Sequence, residues 1–129
     1  MRVGPLKLKL QLVCGDHFAI GPGKADVLEA IDREHSIRAA GKALGMSYRR
    51  IWLLVDQMNR CFSDKLVETL TGGGHERGAR LTETGRVALA AFRELEAESA
   101  KVAELPAFAR LSSLIRDVPL EASPERSSP

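Results

Sequence analysis

A mainly α fold with small β content is what this 129-residue sequence predicts, and three observations predict it. Two short capped helical segments flank a glycine within residues 36–60. Two β-type runs flank a glycine-rich stretch within 66–81. A long amphipathic segment follows over 83–105. In that order they predict a winged helix-turn-helix with a long C-terminal dimerisation helix. The expected boundaries are 1–82 for the winged helix-turn-helix, 83–118 for the long helix plus a short one, and 119–129 for a disordered tail.

Each element has its own warrant. Leu6, Leu8, Leu10 and Leu12 alternate with Lys7, Lys9 and Gln11, the period of a half-buried strand with a solvated lysine side. Gly15-Asp16 and Gly21-Pro22-Gly23 then punctuate the chain, and a helix with Val27, Leu28 and Ile31 as its stripe runs from about Lys24 to about His35. Ser36 is a good N-cap for a helix through Ile37, Ala40 and Leu44, which Gly45 stops by taking a left-handed conformation. Ser47 caps the next helix. There Ile51, Leu54, Val55 and Met58 share one face, and Arg49, Leu53, Asp56 and Arg60 the opposite one. Leu66–Thr71 reads as a strand, Gly72–Gly78 as a glycine-rich loop, and Ala79–Leu81 as the returning strand. Thr82 caps the long helix, with Glu83 favourably placed in its first turn. Ala88, Phe92, Leu95, Ser99 and Val102 are spaced as a narrow seam for a partner helix, which makes them the expected dimer interface. The helix is expected to stop before Pro106, and Phe108, Leu111, Ile115 and Val118 suggest a short helix after it.

Composition narrows the function classes. Apolar residues are 44% and charged residues 28%, so one core can form without disulfide or metal staples. No run of about 18 apolar residues exists, which argues against a membrane span. The amino terminus lacks the apolar block of a signal peptide, and a cytoplasmic location is expected. Cys14 and Cys61 are expected as reduced, buried thiols. Net charge is only +2, but residues 36–80 carry eight basic against four acidic side chains, while 81–105 carry three against five. Of the 19 cations, 13 are arginine, the residue suited to phosphate and guanine edges. A basic middle followed by an acidic helix points to a polyanionic partner bound by the middle.

The candidate site follows from the second capped helix, which opens with Ser47-Tyr48-Arg49-Arg50. Donors at the start of such a helix are where major-groove contacts are made. Arg49 and Arg50 suit guanine, Ser36, Ser47 and Tyr48 suit phosphate, and the outward Leu53 suits a thymine methyl. Gly73 and Gly74 allow close backbone approach to a phosphate strand beside His75, Arg77 and Arg80. The expected partner is double-stranded DNA, bound by a homodimer. The competing class is a winged-helix module that docks on protein and not on DNA.

Other motifs fail their own patterns. Gly21-Pro22-Gly23-Lys24 lacks the glycine five residues before Gly23 and the Ser or Thr after Lys24 that a phosphate-binding loop needs. Cys14 and His17 with Cys61 and His75 lack a clustered second pair for zinc. Asp26, Glu29, Asp32 and Glu34 read as a solvated helix face. No nucleophile–base pair has informative spacing, so neither an enzyme nor a cofactor is expected.

The same residues carry a resemblance. Leu8-Lys9-Leu10-Gln11, Ser36-Ile37, Gly41, Gly45-Met46-Ser47-Tyr48, Trp52, Met58-Asn59, Leu66-Val67-Glu68, Thr71-Gly72-Gly73-Gly74 and Leu81-Thr82 with Gly85 resemble the N-terminal DNA-binding region of the ModE family of molybdate-responsive transcriptional regulators. Similarity to the LysR-type winged helix is weaker, through Ala39-Ala40 to Leu44. The resemblance implies operator binding by a dimer joined through the helix after the wing, with Ser47 to Arg50 and Gly73 to Arg77 on DNA. Molybdate-sensing members carry C-terminal oxyanion-binding domains. A chain ending at Pro129 is expected to lack them, and to act alone or with a separate molybdate-binding protein.

Overall fold

Two small antiparallel hairpins open the chain: β1 (Arg2–Val3) with β2 (Leu6–Lys7), then β3 (Leu12–Cys14) with β4 (His17–Ile20). In the computed structural model residues 1–72 and 75–123 are described, with 71, 72 and 75–77 as backbone only. The single strand expected over Leu6–Leu12 is thus divided, because Gly4-Pro5 turns Leu6 back onto Val3 while the second hairpin takes Leu12. Its alternation persists as burial: Leu6, Leu8 and Leu10 are half-buried, and Lys7, Lys9 and Gln11 are exposed.

Helix α1 (Pro22–Glu34) starts two residues before the expected Lys24, since Pro22 occupies the first turn where no backbone donor is needed. Ala25, Val27, Leu28, Ala30 and Ile31 are fully buried along it. His35 ends it in the left-handed region, and its carbonyl accepts the Ala79 N–H at 3.0 Å.

Helices α2 (Ile37–Ala43) and α3 (Tyr48–Cys61) form the helix-turn-helix. The Ser36 Oγ accepts the Ala39 N–H, and the Ser47 Oγ accepts the Arg50 N–H, each at 3.1 Å. Gly45 makes the turn at φ 68, and the Met46 N–H donates to the Gly41 carbonyl at 2.8 Å. A Cβ on Gly41 would lie 3.2 Å from the Ile51 side chain, so the small residues at 39–41 do allow close packing. Ile51, Val55 and Met58 are the buried stripe of α3.

The wing pairs β5 (Val67–Gly72) with β6 (His75–Leu81), in register from Val67–Leu81 to Gly72–His75 with a bulge at Leu70/Thr71. The second strand therefore begins at His75 and not at Ala79. Gly78 belongs to the ladder because β6 runs against the end of α1, where a Cβ would sit 3.0 Å from the His35 carbonyl oxygen.

Thr82 joins the wing to α4 (Glu83–Ser99). Its hydroxyl donates to the Lys65 carbonyl at 2.6 Å and accepts the Gly85 N–H at 3.0 Å. A Cβ on Gly85 would fall 2.1 Å from the Leu66 carbonyl oxygen, so no other residue fits there. The continuous helix expected to residue 105 ends at Ser99, giving about 25 Å of α-helix. Ala100–Glu104 tighten into a 3-10 turn, because Pro106 holds Leu105 extended at ψ 142. Helix α5 (Pro106–Ser112) follows, six residues short of the expected Val118. Residues 119–123 carry no regular structure, and 124–129 lie outside the described residues. The core gathers α1, α2, α3, the base of the wing and Phe92 of α4.

Candidate nucleic-acid interface

Helix α3 presents Arg49, Arg50, Leu53, Asp56 and Arg60 to solvent, with Leu53 53% exposed. Ser47 caps the start of the helix at Tyr48 and so places both arginines in its first turn. Among the described residues no carboxylate lies within ion-pair distance of Arg49 or Arg50. The Ser47 oxygen is engaged as an acceptor, which leaves its hydroxyl proton to donate. Tyr48 is half-buried. The Arg38 guanidinium stands 4.2 Å over its ring, and Trp52 meets it edge-on at 6.1 Å. Trp52 itself packs on the core. The two aromatics thus brace the entry of α3, with Arg38 held at the same corner.

The wing flanks one side of α3. Gly73 and Gly74 lie outside the described residues, as do the side chains of His75 and Arg77, whose backbones belong to β6. Arg80 is exposed on β6 but bonded to Glu68 at 2.5 Å, and Arg60 pairs with Asp56 at 3.2 Å. Asn59, singled out in the sequence only through the resemblance, fixes the wing to α3. Its Oδ1 accepts the N–H groups of Leu66 at 2.9 Å and Val67 at 3.1 Å, and its Nδ2 donates to the Val67 carbonyl at 3.1 Å.

The other side of α3 faces the N-terminal hairpins across a groove of about 570 Å³. Its lining includes Lys7, Lys9, Lys24, Arg50, Leu53 and Gln57, and no Asp or Glu. Lys24 is buried, and its ammonium donates to the Phe18 carbonyl. Burial pushes its pKa down, against a smaller opposing influence of Cys61. Gly21-Pro22-Gly23-Lys24 therefore serves to start α1 and pin it to β4. Cys14 and Cys61 are free and half-buried. A hydrogen bond with Cys14, and then burial, push the Cys61 thiol up. Among the described residues no group of three His, Cys, Asp or Glu is placed to hold a metal ion, and no helix is long and apolar enough to cross a membrane.

The residues expected at a dimer seam separate into two faces. Phe92 is 2% exposed inside the chain's own core, and Ala88 is half-buried against it. Leu95 and Val102 are exposed, as is Val87, and Ser99 is half-buried with its hydroxyl bonded to the Leu95 carbonyl. The reason is Arg93, which reaches Asp26 at 2.7 Å and Glu29 at 2.6 Å on α1 and the buried Glu96 at 2.8 Å. Burial works to lower the Arg93 pKa, and the three carboxylates outweigh it and raise it. Asp26 and Glu29 are thus ion-pair partners that lock α4 onto α1, where the sequence suggested a merely solvated face.

Residues 24–86 match the sequence model of the bacterial regulatory helix-turn-helix protein, lysR family. The chain is 39% identical over 80 residues to the molybdenum transport protein ModE of Azotobacter vinelandii, which covers 62% of this chain and 30% of that protein. It is 35% identical over 96 residues to the molybdenum-pterin-binding protein MopA of Rhodobacter capsulatus, covering 74% and 36%. The match spans about a third of the length of these relatives. In fold it is similar to the protein of the CbnR_DBD–DNA complex, with TM-score 0.53 and 19% identity over 70% of this chain and 95% of that one.

Proposed function

The chain carries a ModE-like winged-helix DNA-binding region, and from that premise we propose that it regulates transcription by reading duplex DNA with α3. The observation that supports this most is the pair Arg49 and Arg50. They stand in the first turn of a capped, exposed helix with no carboxylate partner among the described residues. A helix N-terminus with free guanidinium groups fits the major groove, and each bidentate arginine contributes roughly 1–3 kcal/mol of base discrimination. Ser36, Ser47 and Tyr48 then serve the phosphates beside it, and the wing, with Gly73 to Arg77 at its tip, serves the adjoining backbone.

The reading includes a homodimer whose two recognition helices sit about 34–36 Å apart. Its seam is proposed along Val87, Leu95 and Val102, the outward apolar residues of α4 and the turn after it. Sedimentation of Leu95→Glu checks it. The variant is expected to be monomeric at micromolar concentration where the parent is dimeric, and a dimeric variant moves the interface elsewhere.

Fluorescence anisotropy on a duplex from the gene's own upstream region and on a random duplex tests the function, at about 50 to 200 mM salt. Preference for the upstream duplex with steep salt dependence is the expected result. Absence of binding at low salt favours the protein-docking module instead, a reading supported by the exposed Leu53. Any molybdate response is proposed to come through a separate molybdate-binding protein. Molybdate added alone is then without effect on the isotherm, and a direct effect overturns this part.

A further inference from the structure

We propose that the N-terminal double hairpin is a second DNA-backbone clamp, in which Lys7 and Lys9 hold phosphates on the side of α3 opposite the wing. The inference rests on the DNA-binding reading above and adds an element that lies before the family-matched residues 24–86. Three observations carry it.

The first is placement. Alternation over Leu6–Gln11 turns the leucines inward and leaves Lys7 and Lys9 exposed, so both ammonium groups stand on one side of an extended segment. That segment and α3 share a groove in which Lys7 and Lys9 face Arg50, Leu53 and Gln57. A duplex seated on the exposed face of α3 brings its flanking backbone over this groove.

The second is charge. The groove is lined by three lysines and one arginine without any carboxylate. Among the described residues neither Lys7 nor Lys9 is in an ion pair. Lys24 is occupied by the Phe18 carbonyl and holds the hairpin to α1, which leaves Lys7, Lys9 and Arg50 as the cations offered outward. Two exposed lysines on one segment, with Arg50 across the groove, suit the spaced phosphates of a polyanion better than a small ion, which calls for converging donors.

The third is rigidity. The clamp is not a free arm. The Leu8 N–H donates to the Met1 carbonyl at 2.9 Å, Leu10 packs on the core, and β4 is buried through Ala19 and Ile20. The lysines are thus presented at a fixed distance from α3, which lowers the ordering cost of using them.

The test is the salt dependence of binding by the full chain to a random 30-base-pair duplex and to the upstream duplex, for the parent and for Lys7→Ala/Lys9→Ala. Each lost phosphate contact removes about 0.9 from the slope of log affinity against log salt. The double variant is expected to lose about two such contacts and to bind about tenfold more weakly near 0.1 M salt, equally on both duplexes. Lys7→Arg/Lys9→Arg is expected to keep the parent slope, and Lys101→Ala, whose ammonium is already paired with Glu98, to change little. Both lysines are exposed, so circular dichroism is expected to show an unchanged fold. A parent that binds with the double variant matching its slope overturns the clamp and leaves the DNA reading intact. A parent that does not bind at low salt overturns both.

Discussion

The two flanks of the recognition helix are built from the same device and carry different charge. On each side a two-stranded antiparallel hairpin stands beside α3. On the wing side Arg80 pairs with Glu68 and Arg60 with Asp56, while Lys65 is exposed and in no ion pair among the described residues. On the N-terminal side Lys7, Lys9 and Arg50 line a groove without a carboxylate. A segment count over residues 36–80 places the basic character in the middle of the chain and leaves the amino terminus out. Charge available to a polyanion depends on which cations already hold an anion, and that is a property of the folded register. The β5–β6 pairing puts Glu68 directly opposite Arg80, whereas Lys7 lies opposite Arg2, and among the described residues neither Lys7 nor Lys9 is in an ion pair.

The largest expected effect lies between the flanks. Replacing Arg49 or Arg50 by alanine is expected to weaken binding to the preferred duplex about 10- to 100-fold, and binding to a random duplex much less. Equal losses on both duplexes reassign these arginines to the backbone, and α3 then differs little from its flanks.

The next effect falls on the wing side alone. Asn59 satisfies two strand N–H groups and one carbonyl at the base of the wing. Asn59→Ala leaves those groups unpaired in a half-buried place, at a cost of roughly 1–3 kcal/mol of stability. A lowered thermal midpoint is expected, with faster amide exchange at Leu66 and Val67 than at the N-terminal hairpins. Uniformly faster exchange across both flanks indicates that the wing is not held separately by this residue.

Much of this was legible in the residues, and the exceptions have physical causes. The two serine caps, the Gly45 turn and the buried stripe of α3 follow from local chemistry, and local chemistry is what a sequence displays. The N-terminal segment displayed its alternation but not its division, because where a strand finds its partner depends on turns at both ends. The wing was legible as a hairpin, yet Gly78 read as loop, since its reason is the His35 carbonyl 43 residues away in the chain. The α4 seam failed in part for the same reason. A spacing of four and three identifies an apolar stripe without saying which neighbour it meets, and Arg93 with Asp26 and Glu29 turns Phe92 inward. Asn59 entered only through the resemblance and without a role, because its three bonds are to backbone groups, which no side-chain pattern displays.

The smallest effect is the sharpest test of the contrast between flanks. Arg80 and Glu68 are both exposed on the hairpin, and an exposed pair of this kind contributes little to folding. Glu68→Gln is therefore expected to leave the thermal midpoint unchanged. It removes the carboxylate that occupies Arg80 and leaves the guanidinium for a phosphate. Affinity for any duplex is then expected to rise about two- to fivefold, with a salt slope steeper by about one contact. Arg80→Ala in the parent is expected to cost little, because its charge is already answered. If instead Arg80→Ala weakens binding as much as the loss of a lysine from the N-terminal strand, Glu68 does not silence it. The wing would then be as cationic toward DNA as the opposite flank, and the asymmetry around α3 would be one of sequence position and not of charge.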